Sequence, residues 1–112
     1  MPKKLDEILW ILKADNIDFE LEYLFHPIRK WRFDVALWRY KIAIEYEGVV
    51  SNVSRHTNNK GYTNDCQKYN QANIHGWIVL RYTALSKHSI RDEIHQAIKQ
   101  RIKENGKENE QA

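Results

Sequence analysis

The sequence predicts an α/β domain of the α+β type, one mixed sheet built in the order α-β-β-β-α-β-α, and three observations predict it. Apolar residues recur at helical spacing near both ends of the chain, alternate with a period of two through residues 19–47, and form one short continuous run at 77–83. Near the start, Leu5, Ile8, Leu9 and Leu12 line one face of a helix that begins beside Pro2, where proline is tolerated, and ends near Asp15 and Asn16. "FELEYLFH" then sets Phe19, Leu21, Tyr23 and Phe25 against Glu20, Glu22, Leu24 and His26, the alternation of a strand. Pro27 breaks it. "WRFDVAL" resumes with Phe33, Val35 and Leu37 on one face and Arg32, Asp34 and Ala36 on the other. After a short turn near Trp38-Arg39-Tyr40, Ile42, Ile44 and Tyr46 alternate with Ala43, Glu45 and Glu47, and Gly48 ends this third strand.

Residues 49–61 are polar, rich in Asn and Ser, and read as a long loop of a length that is usually functional or mobile. Asn64 with Gln67 resembles a capping pair opening a helix whose inner face carries Cys66, Tyr69 and Asn73, and Gly76 closes it. "WIVLRYT" has the near-continuous apolar character of an interior strand. It follows a crossover that should be right-handed. Ile90, Ile94, Ala97 or Ile98, and Ile102 line a last helix over about 86–102, and the tail 103–112 lacks apolar residues and is expected to be disordered. The whole is one domain, 1–102, with its core at about 19–84.

A net charge of +3 is compatible with a polyanionic partner without demanding one. Lone Cys66 excludes an internal disulfide framework, and no Cys/His spacing suits structural zinc. His26, His75, His88 and His95 lack ligand spacing and read as structural, as do Tyr69 and Trp77. With no signal peptide pattern and no apolar run of about 18 residues, a cytoplasmic protein without a membrane partner is expected.

The carboxylates of the second and third strands carry the functional signal. Any even-length turn between those strands puts Asp34 on the same face as Glu45 and Glu47; a two-residue turn at Arg39-Tyr40 sets Asp34 directly opposite Glu45, one at Trp38-Arg39 makes them diagonal neighbours, and an odd-length turn separates them. Two ionised carboxylates about 4 Å apart repel by roughly 4 kcal/mol at an effective dielectric of 20. Protonation, a nearby Lys or Arg, or a divalent cation can compensate, and an oxygen-rich site suits Mg²⁺, with Mn²⁺ substituting. The plainer alternative is a solvated sheet face paired with Arg32, Lys41 or Arg81. Three helices need apolar cover on both faces of one sheet, however, which makes an acidic group between them a cleft.

Taken together, Asp34 with Glu45-Tyr46-Glu47 in an α-β-β-β-α-β frame resembles the PD-(D/E)XK nuclease superfamily, with its restriction-endonuclease-like core. "EYLFHPIRKWRFDVAL", "KIAIEYEG" and "RHTNNKGYTNDCQKYNQANIHGWIVLRYT" resemble its small phage and bacterial Holliday junction resolvases, over about residues 20–84. The resemblance implies that Asp34 and Glu45 are metal-binding acids, that Tyr46 contributes its backbone carbonyl, and that Glu22 is the acid preceding the main motif. Phe33 stands at the motif proline and Glu47 at the motif lysine, so Glu47 would hold a second cation or orient water, and Lys68 is the candidate relocated lysine. His56 is a candidate for catalysis or phosphate contact. Arg29, Lys30, Arg32, Arg55 and Lys60 are candidate DNA contacts. The implied function is a metal-dependent endonuclease resolving branched DNA as a homodimer, since two coordinated nicks need two sites related by two-fold symmetry. A nicking, mismatch or sequence-specific endonuclease, and a non-catalytic DNA-binding module, are the alternatives.

Overall fold

The structure, a computed structural model, describes residues 2–48, 59–86 and 89–111. Along them run α1 (Lys3–Ala14), β1 (Glu20–Leu24), β2 (Arg32–Leu37), β3 (Ile42–Tyr46), α2 (Asn59–Ile74), β4 (Ile78–Tyr82) and α3 (Ile90–Gln111). The element order is the expected one. The strands form a single mixed sheet in the order β1-β2-β3-β4, antiparallel through β3 and parallel between β3 and β4.

Local chemistry explains where two helices stop. Asn16 takes a left-handed backbone (φ 56) after α1, and the N–H groups of Asn16 and Ile17 donate back to the carbonyls of Lys13 (3.2 Å) and Leu12 (2.9 Å). Gly76 (φ 84) repeats the arrangement after α2, with Gly76 donating to Asn73 (3.0 Å) and Trp77 to Ala72 (2.9 Å). Trp77 and Ala72 then meet in the core, so the cap also aims the chain into β4.

The sheet is covered on both sides. Ile8, Leu9, Ile11 and Leu12 of α1 and Ile90, Ile94, Ala97 and Ile98 of α3 pack on Val35, Leu37, Ile42 and Ile44. On the other side Ala72 of α2 joins Phe33, Ala36, Ala43 and Trp77. Small Ala residues on both sheet and helix permit a close approach there.

Phe33 corrects the simple alternation, which grouped it with Val35 and Leu37. It belongs to the α2 side, as do Tyr23 and Phe25, whereas Phe19 packs on the α1/α3 side. Both strands therefore change face at one level. The pairs Leu21↔Val35 and Tyr23↔Phe33 set Glu22 opposite Asp34 at that level, and Glu22 has a left-handed backbone (φ 50). A residue in that conformation turns the strand and resets which side the following side chains face.

Four other expectations need correcting. β4 is an edge strand, and its continuous apolar run reflects helices on both faces rather than an interior position. α2 begins at Asn59, so Asn64 and Gln67 lie inside it and are no cap; poor helix formers such as Gly61 and Thr63 obscured its start. Its inward residues are Lys68, Tyr69 and Ala72, while Cys66 and Asn73 are exposed. α3 continues to Gln111, through the tail expected to be disordered. The helix runs on through Asn105, Gly106 and Asn109 in spite of their weak helix propensity, extended from an anchored stem in which Gln100 and Arg101 each donate to Glu104 (3.2 and 3.0 Å). Among the described residues no helix is long and apolar enough to cross a membrane.

Candidate active site

β2 and β3 are joined by a four-residue turn, Trp38 to Lys41, in which Tyr40 N–H donates to Leu37 C=O (3.1 Å) and Lys41 is left-handed (φ 52). The even length gives the register Leu37↔Ile42, Ala36↔Ala43 and Val35↔Ile44, which sets Asp34 directly opposite Glu45. There the acids continue the pairing with their side chains. Asp34 N–H donates to Glu45 Oε2 (3.1 Å), and Tyr46 N–H donates to Asp34 Oδ2 (2.7 Å). For Tyr46 the contact made is thus by its N–H.

α2 supplies the positive charge. Lys68 Nζ donates to Glu45 Oε1 in a salt bridge that is nearly dry, with side-chain exposures of 16% and 5%. One residue on, Tyr69 O–H donates to Glu47 Oε1 (2.8 Å), which also accepts from Arg81 Nε of β4 (2.7 Å). The Arg81 guanidinium lies 4.3 Å from the Tyr69 ring centroid. Asp34, Glu45, Glu47 and Lys68 are thus brought together as expected, with Tyr69 and Arg81 completing the group. Tyr69, expected in the core, does face inward, and its O–H additionally reaches Glu47.

The other expected residues lie outside this group. Glu22 is exposed at the strand twist, where its C=O accepts from Arg32 (3.3 Å). Arg29, Lys30 and Arg32 are exposed on and beside the β1–β2 connection, and Lys60 is exposed in the first turn of α2. Arg55 and His56 lie outside the described residues.

Among the described residues no three His, Cys, Asp or Glu side chains form a group able to hold a metal ion. The acid repulsion is offset within the chain by Lys68 and Arg81. The offset is incomplete at Glu45, which is 4% exposed. Burial pushes its carboxyl up to about 7, with the Asp34 charge adding to the rise and the Lys68 and Asp34 N–H bonds opposing it. Burial and the adjoining acids likewise raise the Tyr69 phenol, which remains a hydrogen-bond donor.

Stability should follow the titration of this carboxyl. Glu45 is ordinarily half-protonated near 4.5 and in the fold near 7, so between those values the folded chain binds the extra proton. The stabilisation is fully present below about pH 4.5 and is lost as pH rises through 7, a change of about 3 kcal/mol. Urea melts from pH 4 to pH 8 should show wild type losing that much relative to Glu45→Gln. Parallel curves for the two proteins would count against it.

No protein-family model, no curated protein and no solved structure matches the chain, and the reading of this site rests on its geometry.

Proposed function

We propose that this chain is a metal-dependent DNA endonuclease of the PD-(D/E)XK type, acting as a homodimer on branched DNA in the manner of a Holliday junction resolvase. The single observation that carries the reading is the buried group in which Asp34 and Glu45 stand opposite each other with Lys68 on Glu45. A carboxylate desolvated beside a second acid and a lysine is the kind of arrangement by which functional sites shift a titration.

Asp34 and Glu45 suit Mg²⁺ or Mn²⁺, because Mg²⁺ is usually held by one or two carboxylates with waters and substrate phosphate completing its shell. When bound, the cation supplies charge neutralisation at the phosphoryl oxygens. Lys68 offsets the negative charge that builds there during hydrolysis. Glu47, held by Tyr69 and Arg81, keeps Arg81 beside the acids and orients the attacking water. Arg29, Lys30, Arg32 and Lys60 contact phosphates, as would Arg55 and His56, and Glu22 borders the site at the strand twist.

A second reading has its own observation. Each of the paired acids bonds a backbone N–H of the facing strand, which is also how carboxylates would secure a strand end in a non-catalytic DNA-binding module. Incubating the protein with a four-way junction, a flap and a matched duplex, with and without Mg²⁺, separates the readings. The expected result is Mg²⁺-dependent nicking strongest on the junction. Equal cleavage of all three DNAs would indicate a nicking or sequence-specific enzyme, and binding without cleavage the non-catalytic module. Mg²⁺ should also raise the melting temperature, with about 2.7 kcal/mol of stabilisation at a hundredfold excess over its dissociation constant.

A further inference from the structure

α2 and the β1–β2 connection border an open groove of about 420 Å³ lined by His26, Arg29, Trp31, Gln67, Asn70 and Gln71. That size lies within the range of about 300–1,000 Å³ usual for small-molecule sites. Its lining is unusual: one indole, one guanidinium, one imidazole and three carboxamides, with no carboxylate.

The walls are held in place by specific bonds. His26 Nδ1 accepts from the N–H groups of Ile28 (3.2 Å) and Arg29 (2.9 Å), so its proton sits on Nε2, which donates to Gln71 Oε1 (3.3 Å). That network makes His26 a strut and leaves the Gln71 amide nitrogen as the remaining donor. The Arg29 guanidinium lies over the Trp31 ring at 4.3 Å. Trp31 in turn stacks with Phe25 (6.3 Å, 17°), and Phe25 with Phe33 (4.0 Å, 4°), whose ring lies 5.7 Å from Lys68 Nζ. A continuous aromatic ladder thus links the groove to the lysine of the acidic group.

The carboxamides are not explained by the fold. Asn64, Gln67, Asn70, Gln71 and Asn73 crowd one helix, although Asn is a weak helix former. Gln67 and Asn70 have no side-chain hydrogen-bond partner among the described residues. Carboxamides offer a donor and an acceptor side by side, the pattern that reads a base edge, and Trp or Arg planes are what unpaired bases stack on.

We infer that this groove is a binding site for one unpaired nucleotide, its base stacked on the outer plane of the Arg29 guanidinium that Trp31 supports from beneath, its edge read by Gln67, Asn70 and Gln71, and its phosphate met by Lys30. Neutral donors and acceptors suit an uncharged heteroaromatic ring, and the exposed cations at the rim suit the phosphate. The inference rests on the reading of this chain as a DNA-binding protein, and not on its cleaving DNA. It deepens that reading by giving a physical basis for choosing branched over continuous duplex: a branch point or bulge presents a base that can leave the stack.

The test measures binding in EDTA by fluorescence anisotropy, using a matched duplex and the same duplex carrying one bulged 2-aminopurine, with an RNA duplex of equivalent design as a further arm. Wild type should bind the bulged DNA about tenfold more tightly than the matched duplex and change the 2-aminopurine emission on binding. Trp31→Leu and Asn70→Leu should lose that preference while keeping affinity for matched duplex, and Trp31→Phe should recover it. A preference equal in the RNA arm would support the same pocket as a reader of unpaired nucleotides of either kind. Equal binding of bulged and matched DNA by wild type, or a preference unchanged in both Leu variants, would overturn the inference. Mg²⁺-dependent cleavage by wild type in that event leaves the proposed enzymatic function standing, whereas absence of any DNA binding overturns both.

Discussion

Asp34→Asn and Glu45→Gln are each expected to abolish Mg²⁺-dependent nicking of a four-way junction while leaving its binding intact or tighter. Both changes keep side-chain shape and remove the charge that would hold a cation. In Asp34→Asn the new carboxamide retains an oxygen able to accept from Tyr46 N–H, so the strand end survives the first change. The second substitutes a neutral amide for a carboxylate that is 4% exposed, which relieves desolvation but sets the amide NH₂ against one of the two donors, Lys68 Nζ or Asp34 N–H, that the carboxylate accepts from. Melts on the same samples therefore separate loss of activity from loss of folded protein. Removing acidic charge beside DNA also reduces repulsion of phosphate, which is why affinity should hold or improve. Cleavage of the junction by both variants at the wild-type rate would remove these acids from the chemistry.

Lys68→Met should produce the next largest effect, and one that depends on pH. Methionine keeps the length of the side chain but leaves Glu45 buried without its cation. Breaking a buried pair from one side typically costs about 3–5 kcal/mol. Lys68 lowers the Glu45 carboxyl, so without it that group holds its proton to still higher pH. The folded state then binds the proton over a wider window, and stability falls further as pH rises. The variant should accordingly be near wild type at pH 5, where Glu45 is protonated, and clearly weakened at pH 8. The double variant Lys68→Met/Glu45→Gln should regain stability at pH 8, since no unpaired charge remains. Activity should separate from stability in the same series. Single-turnover cleavage with saturating enzyme at pH 7 should fall about 10²–10³-fold in Lys68→Met, with junction affinity nearly unchanged. Wild-type cleavage by Lys68→Met would reduce Lys68 to a partner that only neutralises Glu45.

Much of the site was legible because its controlling features are local. An even-length turn sets register, and register alone puts Asp34 opposite Glu45. Lys68 is a candidate from its place on the helix that follows the third strand, and α2 carries it to Glu45. Tyr69 does face inward as expected, but its bond to Glu47 joins α2 to β3 and leaves no mark in the pattern of the helix, while Cys66 and Asn73, expected beside it, are exposed. Arg81 was foreseen as a possible partner for an acid but not as the specific partner of Glu47. The groove beside Trp31 had no sequence signal of its own, because it joins a hairpin connection to a helix more than thirty residues away, as the bond from His26 to Gln71 shows.

By itself the sequence determined the order of elements, the closing residues Asn16 and Gly76, and the facing of Asp34 and Glu45. Each follows from interactions within a few residues or across one turn: backbone conformations that Asn and Gly tolerate, apolar periodicity, and hydrogen-bond register. Only the tertiary structure decided that β1 and β2 change face at Glu22 and Asp34, and that β4 is an edge strand covered from both sides. It also decided that Lys68 and Arg81, from two different elements, divide the charges of Glu45 and Glu47 between them. Strand twist and the desolvation of a carboxylate depend on everything packed around them, and the periodicity of a single segment carries no record of that surrounding.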